Sequence, residues 1–136
     1  RKYTYYFNWN NGMDVVYGIF ENKASITENN QVIVFEGAKS VMLADTYGIH
    51  NTCAILTSHF SFSQMKRLVE LRVGEIIFAL DKDVDINKID RLNALKSYAK
   101  ISYIYDNNGL LDEKDAPVDK GKDVFIKLLN ERRSLS

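Results

Sequence analysis

The chain has 136 residues, 46% hydrophobic and 26% charged, and its 18 basic and 18 acidic side chains cancel to a net charge of zero. That composition excludes disorder and collagen-like structure, and the charge balance excludes a polycation that grips nucleic acid by charge alone. A lone cysteine, Cys53, rules out an internal disulfide or a cysteine zinc cluster, and no apolar run reaches the ~18 residues of a membrane span.

Tyr3–Trp9 reads as a strand and Val15–Ile26 as a helix leading into a sheet. Gln31–Phe35 (QVIVF) is the first continuous apolar run, followed by a helical stretch from Ala38 to Tyr47. Thr52–Leu56 (TCAIL) is the second, and in Ser61–Arg72 the residues Met65, Leu68 and Val69 share a helical face. Glu75–Leu80 (EIIFAL) is the third, and Ile86, Ile89, Leu92 and Leu95 mark a helix whose period is nearer 3 than 3.6. Ile101–Tyr105 (ISYIY) is the fourth, and Val124, Phe125, Leu128 and Leu129 give a last helix its apolar stripe. Strands apolar at every position are covered on both faces. Their alternation with helices predicts an α/β domain: a mainly parallel sheet of about four strands, flanked by helices on both faces.

In such a sheet ligands bind at the carboxyl ends of the strands. Glu36-Gly37 follows the first run, Thr57-Ser58 the second, Asp81-Lys82-Asp83-Val84-Asp85 the third and Asp106 the fourth. If the first and third strands are neighbours, at the ~4.8 Å spacing of a sheet, Glu36 and Asp81 share one small volume. Carboxylates that close repel unless a proton or cation lies between them, and an oxygen-only ligand set selects a hard ion such as Mg²⁺ or Mn²⁺. Taken singly, each acid also reads as a helix cap or turn residue. A calcium EF-hand loop starting at Asp81 fails, because its sixth and twelfth positions are Ile86 and Leu92. An aspartyl-phosphate phosphatase also uses a strand followed by D-x-D. Its motif wants Thr or Val where Asp85 stands, so it takes second place among the enzyme classes.

The segments VIVFEGAKSVMLADTYGI, CAILTSHFS and EIIFALDKDVD resemble the TOPRIM domain shared by bacterial-type DNA primases, type IA and II topoisomerases, small nucleases and RecR. An apolar strand ending in Glu-Gly, then a later strand ending in Asp-x-Asp, is that domain's hallmark. The resemblance covers about residues 30–130, which implies a Rossmann-like TOPRIM fold over 30–133, with 1–29 as the tail of an upstream primase-core region. Three features favour the primase branch. Leu56-Thr57-Ser58 through Ser61 resembles the primase turn LGTALT. Tyr17-Gly18-Ile19 resembles the helix before the Glu strand, and Asp115-Ala116-Pro117 with Asp119 and the Asp123–Leu129 helix resembles the KDPDE end of the core. Lys39-Ser40 stands where many primases carry a further Asp, and Asp85 where cellular ones carry Ala-Gly. Those departures point to a divergent primase of a phage or other mobile element.

The resemblance implies that Asp81 and Asp83 coordinate Mg²⁺ or Mn²⁺, with Asp85 a further candidate ligand. Glu36 completes the site or acts as general acid/base. The implied activity is two-metal nucleotidyl transfer, the synthesis of short RNA primers on single-stranded DNA from ribonucleoside triphosphates. The implied setting is cytoplasmic DNA replication within a longer chain, beside a replicative helicase and without a membrane. An opening residue that is Arg1, not Met, agrees with a piece of a longer chain, so this piece alone is expected to be inactive. Gly37 lets a phosphate approach closely. Lys39 and Lys82 are candidate phosphate partners that also read as solvated surface lysines. Asp106 and Asp115 read first as turn formers. His50 and His59 are nine apart, not at metal-ligand spacing, and read as helix-end and loop residues. Cys53 reads as a small buried hydrophobe. Trp9, Tyr3, Tyr5, Tyr6 and Phe7 read as base-stacking residues or as an ordinary aromatic strand. The same acids would serve a TOPRIM nuclease, and a non-catalytic TOPRIM interaction module is the third reading.

Overall fold

In the computed structural model, which describes residues 15–56, 59–89 and 91–135, the apolar runs become the strands of one sheet. The strands are β1 (Gln31–Phe35), β2 (Thr52–Ala54), β3 (Glu75–Ala79), β4 (Lys100–Tyr103) and β5 (Arg133–Ser134). Their spatial order is β2-β1-β3-β4-β5, parallel throughout except for β5. The helices are α1 (Lys23–Asn29), α2 (Ala38–Thr46), α3 (Phe62–Glu70), α4 (Leu92–Leu95) and α5 (Lys122–Asn130).

Because successive side chains of a strand point to opposite faces, each strand feeds two cores. Val32 and Val34 pack with Ile76, Phe78 and Ile101 against Ile26 of α1, Leu68 of α3 and Leu92 and Leu95 of α4. Ile33 and Phe35 pack with Ile77 and Ala79 against Val41 and Ala44 of α2 and Phe125 of α5. Both faces are therefore dry, which is why these strands read as unbroken apolar runs. Cys53 is fully buried among them, and burial pushes its thiol pKa up. Among the described residues no helix is long and apolar enough to cross a membrane.

The structure corrects three expectations. The sheet has a fifth strand, β5, whose two exposed residues carry no apolar run for the sequence to show. The helix expected over Val15–Ile26 is instead a bridge and a turn: Tyr17 pairs antiparallel with Ala54 on the outer edge of β2, Gly18 turns the chain at φ +80°, and α1 starts only at Lys23. The primase-like Tyr17-Gly18-Ile19 is thus not helical here. The run from Ile86 to Leu95 is split into a 3-10 turn (Ile86–Lys88) and the short α4, with Arg91 at φ +76° between them. Only the first turn of that period-3 run is 3-10; its last two members, Leu92 and Leu95, lie in the α-helical α4. The strand over Tyr3–Trp9, the stacking role of its aromatics, and the roles of Thr57 and Ser58 lie outside the described residues.

Candidate functional site

Chain order determines where this fold can bind. From β1 the chain passes through α2 to β2 on one side, then crosses back to β3 on the other, so the crevice between the carboxyl ends of β1 and β3 is the topological switch point. The two strands are in parallel register, with Phe35 beside Ala79. Glu36 follows the one, and Asp81 follows the other after a single further residue, Leu80. The expected neighbourhood is met.

The backbone fixes both acids. The Glu36 carbonyl accepts from the Leu56 N–H at 2.7 Å and the Phe35 carbonyl from Ile55 at 3.1 Å, with Leu56 held at φ +69°. A leucine in the left-handed region is uncommon, so the end of β2 is bent to meet Glu36. The Asp81 carbonyl accepts from Val84 N–H at 3.0 Å, a tight turn with Lys82 and Asp83 at its corners. Lys82 is tied to the loops that follow β4. Its N–H donates to the Asp115 carbonyl at 2.8 Å, and its Nζ donates to Asp106 Oδ2 at 3.0 Å and to the Leu111 carbonyl at 2.9 Å. The lysine between the two aspartates is an anchor for their loop. Its ammonium serves that anchor in this structure.

The acids at the switch point are under electrostatic stress. Asp81 has its pKa raised to about 6, by burial first, then by the charges of Glu36, Asp83 and Asp119 and by a side-chain hydrogen bond with Glu36. The two carboxylates repel wherever both are ionised, and a proton or a cation between them relieves that repulsion. Glu36 Oε1 is buried with no hydrogen-bond partner. An orphaned, buried carboxylate oxygen beside an aspartate crowded by other acids fits a hard cation, because a cation would satisfy that oxygen and offset the repulsion. As the side chains stand, no three His, Cys, Asp or Glu among the described residues converge as a ready metal cluster. The donor chemistry fits the group; the shell is not preformed.

Other candidates separate cleanly. Gly37 is the N-cap of α2 in extended conformation, and a Cβ built on it meets nothing within 4 Å, so the space beside Glu36 is open. Lys39 is exposed on the first turn of α2, and Ser40 beside it is buried. Asp83 is exposed at the turn. Asp85 caps the 3-10 turn, its Oδ1 accepting from Asn87 N–H at 3.0 Å. Asp106 accepts from the N–H groups of Leu110 and Leu111, both at 2.8 Å, and Asp115 accepts from Asp112 N–H at 2.8 Å, the turn roles expected of them. His50 pairs with Asp45 at the end of α2. Asp119, whose Oδ2 accepts from Ala116 N–H at 2.9 Å, is the acid that residue-level reasoning passes over. Its charge reaches Asp81. The only signal for it is its place in the primase-like Asp115–Asp119 segment, since it follows no strand.

No family model matches the chain. It is 34% identical over 137 residues to the SPbeta prophage-derived uncharacterized protein YorJ of Bacillus subtilis, covering 86% of this chain and 36% of that protein. It is 34% identical over 130 residues to the DNA primase of Rickettsia prowazekii, covering 90% of this chain and 21% of the primase. The chain therefore spans about a fifth to a third of the length of these curated relatives. The zinc-binding and RNA polymerase domains of the Aquifex aeolicus primase superpose with a TM-score of 0.68 at 22% identity, over 93% of this chain and 32% of that one. A DnaG primase catalytic domain bound to single-stranded DNA superposes with a TM-score of 0.64 at 19% identity, over 90% and 40% of the two chains. The sequence relatives include DNA primases, and the fold matches part of the primase catalytic core.

Proposed function

We propose that this chain, homologous to DNA primases, is the metal-binding catalytic TOPRIM domain of a primer-synthesising nucleotidyltransferase encoded by a phage or other mobile element. One observation carries the reading: at the switch point Glu36 and Asp81 follow adjacent strands in register, and Glu36 Oε1 is buried with no hydrogen-bond partner. Asp81 and Asp83 would hold Mg²⁺ or Mn²⁺, with Glu36 completing the set or taking the proton of the attacking 3′-hydroxyl. Such an ion, when bound, supplies Lewis acidity and neutralises charge on the transferring phosphate. The rest falls to the chain itself. Glu36 Oε1, buried at the end of β1 with no hydrogen-bond partner, is the atom that would meet such an ion or the attacking hydroxyl. Gly37 leaves room for a phosphate at the amino end of α2. The Lys82 anchor holds the Asp81–Asp83 turn in place.

The substrates on this reading are ribonucleoside triphosphates and a single-stranded DNA template, and the setting is cytoplasmic replication in concert with a helicase. Template grip takes many basic contacts. This chain's balance of 18 bases and 18 acids does not provide a surplus of them, so the template wall belongs to other parts of the polypeptide that carries it. The test is ribonucleotide incorporation on a single-stranded template with Mn²⁺, using the longest native polypeptide that contains this chain. Asp81→Asn is expected to lower incorporation by at least about 100-fold, as for loss of a principal charge-stabilising group. Metal-dependent cleavage of the template without incorporation would replace the polymerase reading with the nuclease one. Unchanged incorporation in Asp81→Asn would remove the site assignment.

A further inference from the structure

The turn after β4 carries a reactive pair that the proposed chemistry does not use. Asn108-Gly109 is the one Asn-Gly step among the described residues, and both residues are exposed, outside every strand and helix. The Asn108 carboxamide has no hydrogen-bond partner among the described residues, whereas that of its neighbour Asn107 accepts from Arg133. Gly109 lies at φ +66°, and a Cβ built on it meets nothing within 4 Å. Having no Cβ, Gly109 presents an amide nitrogen that its own side does not shield from the preceding side chain.

That arrangement permits a ring closure. The Gly109 amide nitrogen attacks Cγ of Asn108 and forms a new N–Cγ bond. The Cγ–Nδ2 bond breaks, and the amino group leaves as ammonia with the amide proton of Gly109. Water then opens the resulting succinimide. Hydrolysis at Cγ leaves an aspartate. Hydrolysis at the main-chain carbonyl leaves an isoaspartate, in which the chain runs through the side-chain carbonyl and gains a main-chain carbon. Water supplies the atoms gained, ammonia removes those lost, and nothing is oxidised or reduced. Every other Asn among the described residues is followed by a residue with a Cβ, which crowds the attacking nitrogen.

The place of this step in the fold gives it a consequence. The Asp106 side chain, 3% exposed, accepts from the N–H groups of Leu110 and Leu111, both at 2.8 Å, and from Lys82 Nζ at 3.0 Å. Residues 107–109 alone bring those N–H groups back to the carboxylate. An added main-chain carbon at 108 falls inside that short loop, so donors and acceptor no longer meet. A buried carboxylate stripped of donors is costly, and this one is what holds Lys82 and, through it, the Asp81–Asp83 turn.

We infer that Asn108-Gly109 is a self-modification site, and that its isoaspartate form undoes the Asp106 cap and slackens the Lys82 anchor.

Ageing the purified protein in warm, mildly alkaline buffer tests it. The readout is peptide mapping with fragmentation that separates aspartate from isoaspartate, because Asn11-Gly12 repeats the pair and whole-protein mass does not tell the two apart. Asn108 is expected to convert at least about tenfold faster than Asn107, with isoaspartate among the products. Hydrogen exchange at the Leu110 and Leu111 amides of the aged protein should speed up at least about tenfold. Fresh Asn108→Asp adds the charge without lengthening the chain, and should exchange there as wild type does. Aged Asn108→Gln, whose longer side chain closes a ring slowly, should keep its protection. An intact Asn108, or equal conversion of Asn107 and Asn108, overturns the proposal. So does isoaspartate at 108 with Leu110 and Leu111 still protected, or the same loss of protection in fresh Asn108→Asp.

Discussion

Strand β3 carries an acid at each end, and the two are treated in opposite ways. At the amino end Glu75 is met by Arg132 Nε at 2.8 Å and Nη2 at 3.1 Å, by the Ser102 hydroxyl at 2.6 Å and by the Gln31 amide at 3.2 Å. Burial acts to raise its pKa, but the hydrogen bonds from Arg132 and Ser102, the Arg132 charge and Gln31 together bring it down to about 2. The neighbouring strand ends are tied in as well. Asn51 donates to the Gln31 carbonyl at 3.1 Å, and Gly74 donates to Asn30 Oδ1 at 3.0 Å. At the carboxyl end Asp81 faces other acids and is raised to about 6. A satisfied acid stabilises the fold. An unsatisfied one is retained for something the fold does not need, and in an open parallel sheet that something lies at the carboxyl edge.

The largest effect should come from breaking the satisfied end. Arg132→Ala leaves Glu75, whose side chain is 13% exposed, without its cation. We expect a loss of about 2–4 kcal/mol in urea unfolding, a little under the range for fully buried pairs. A change below about 0.5 kcal/mol would show that solvent already screens the pair and would erase the contrast between the two ends.

Acid titration separates the ends by sign. Glu75 has a folded pKa below its ordinary value of 4.5, so its stabilisation is complete above that value and is lost as pH falls toward about 2. The loss is on the order of 2–3 kcal/mol. Asp81 has a folded pKa above its ordinary 3.8, so its contribution is complete below 3.8 and is lost as pH rises toward about 6. Partial exposure and screening hold that loss to roughly 1 kcal/mol or less. Stability measured against pH should therefore fall on the acid side in a manner that Arg132→Ala flattens. It should also fall between about pH 4 and 6 in a manner that Asp81→Asn removes. A wild-type profile without the second decline would mean that Asp81 ionises without strain.

A divalent ion should act only at the unsatisfied end. At pH 7 a cation present at ten times its dissociation constant stabilises by about 1.4 kcal/mol, a few degrees in Tm for a domain of this size. Mn²⁺ is expected to produce that shift in wild type and in Arg132→Lys, and to lose it in Asp81→Asn/Asp83→Asn. Equal shifts in wild type and the double variant would place the ion elsewhere.

Much of this contrast is legible in the residues, and the rest is hidden for identifiable physical causes. Strands β1 and β3 begin where their apolar runs begin and reach to within a residue of the expected ends, because burial on both faces demands unbroken hydrophobicity. Glu36 and Asp81 can be placed together because strand ends are read directly from those runs. The fate of Lys82 cannot be read: its partner Asp106 is 24 residues away and the Leu111 carbonyl 29, contacts that only the folded loops create. Glu75 reads simply as the first residue of a strand, and nothing local announces an arginine 57 residues later. The 3-10 turn is visible as a period of 3 but reads as part of a helix, since isolated apolar spacing does not reveal a left-handed break such as that at Arg91. Long-range polar pairing is what a single sequence hides, and both ends of β3 depend on it.

The smallest expected effect is the most discriminating between a site and a cap. In chelator at pH 7, Asp81→Asn replaces a stressed carboxylate with a neutral amide of nearly the same shape, able to donate to Glu36 as the protonated acid does. Removing the repulsion from Glu36, Asp83 and Asp119 should stabilise the metal-free protein by about 0.5–1 kcal/mol. Most substitutions at partly buried positions destabilise, so a gain is informative whatever its exact size. Asp85→Asn supplies the control. That carboxylate accepts from the Asn87 N–H at 3.0 Å as a true cap, and its replacement should give no gain and a small loss, within about 0.5 kcal/mol. Two aspartates four residues apart would then respond with opposite signs: one held in place for the fold, the other against it. Should Asp81→Asn instead melt below wild type in chelator, the hydrogen bond to Glu36 would be a structural tie, and the carboxyl end of β3 would be no different in kind from its amino end.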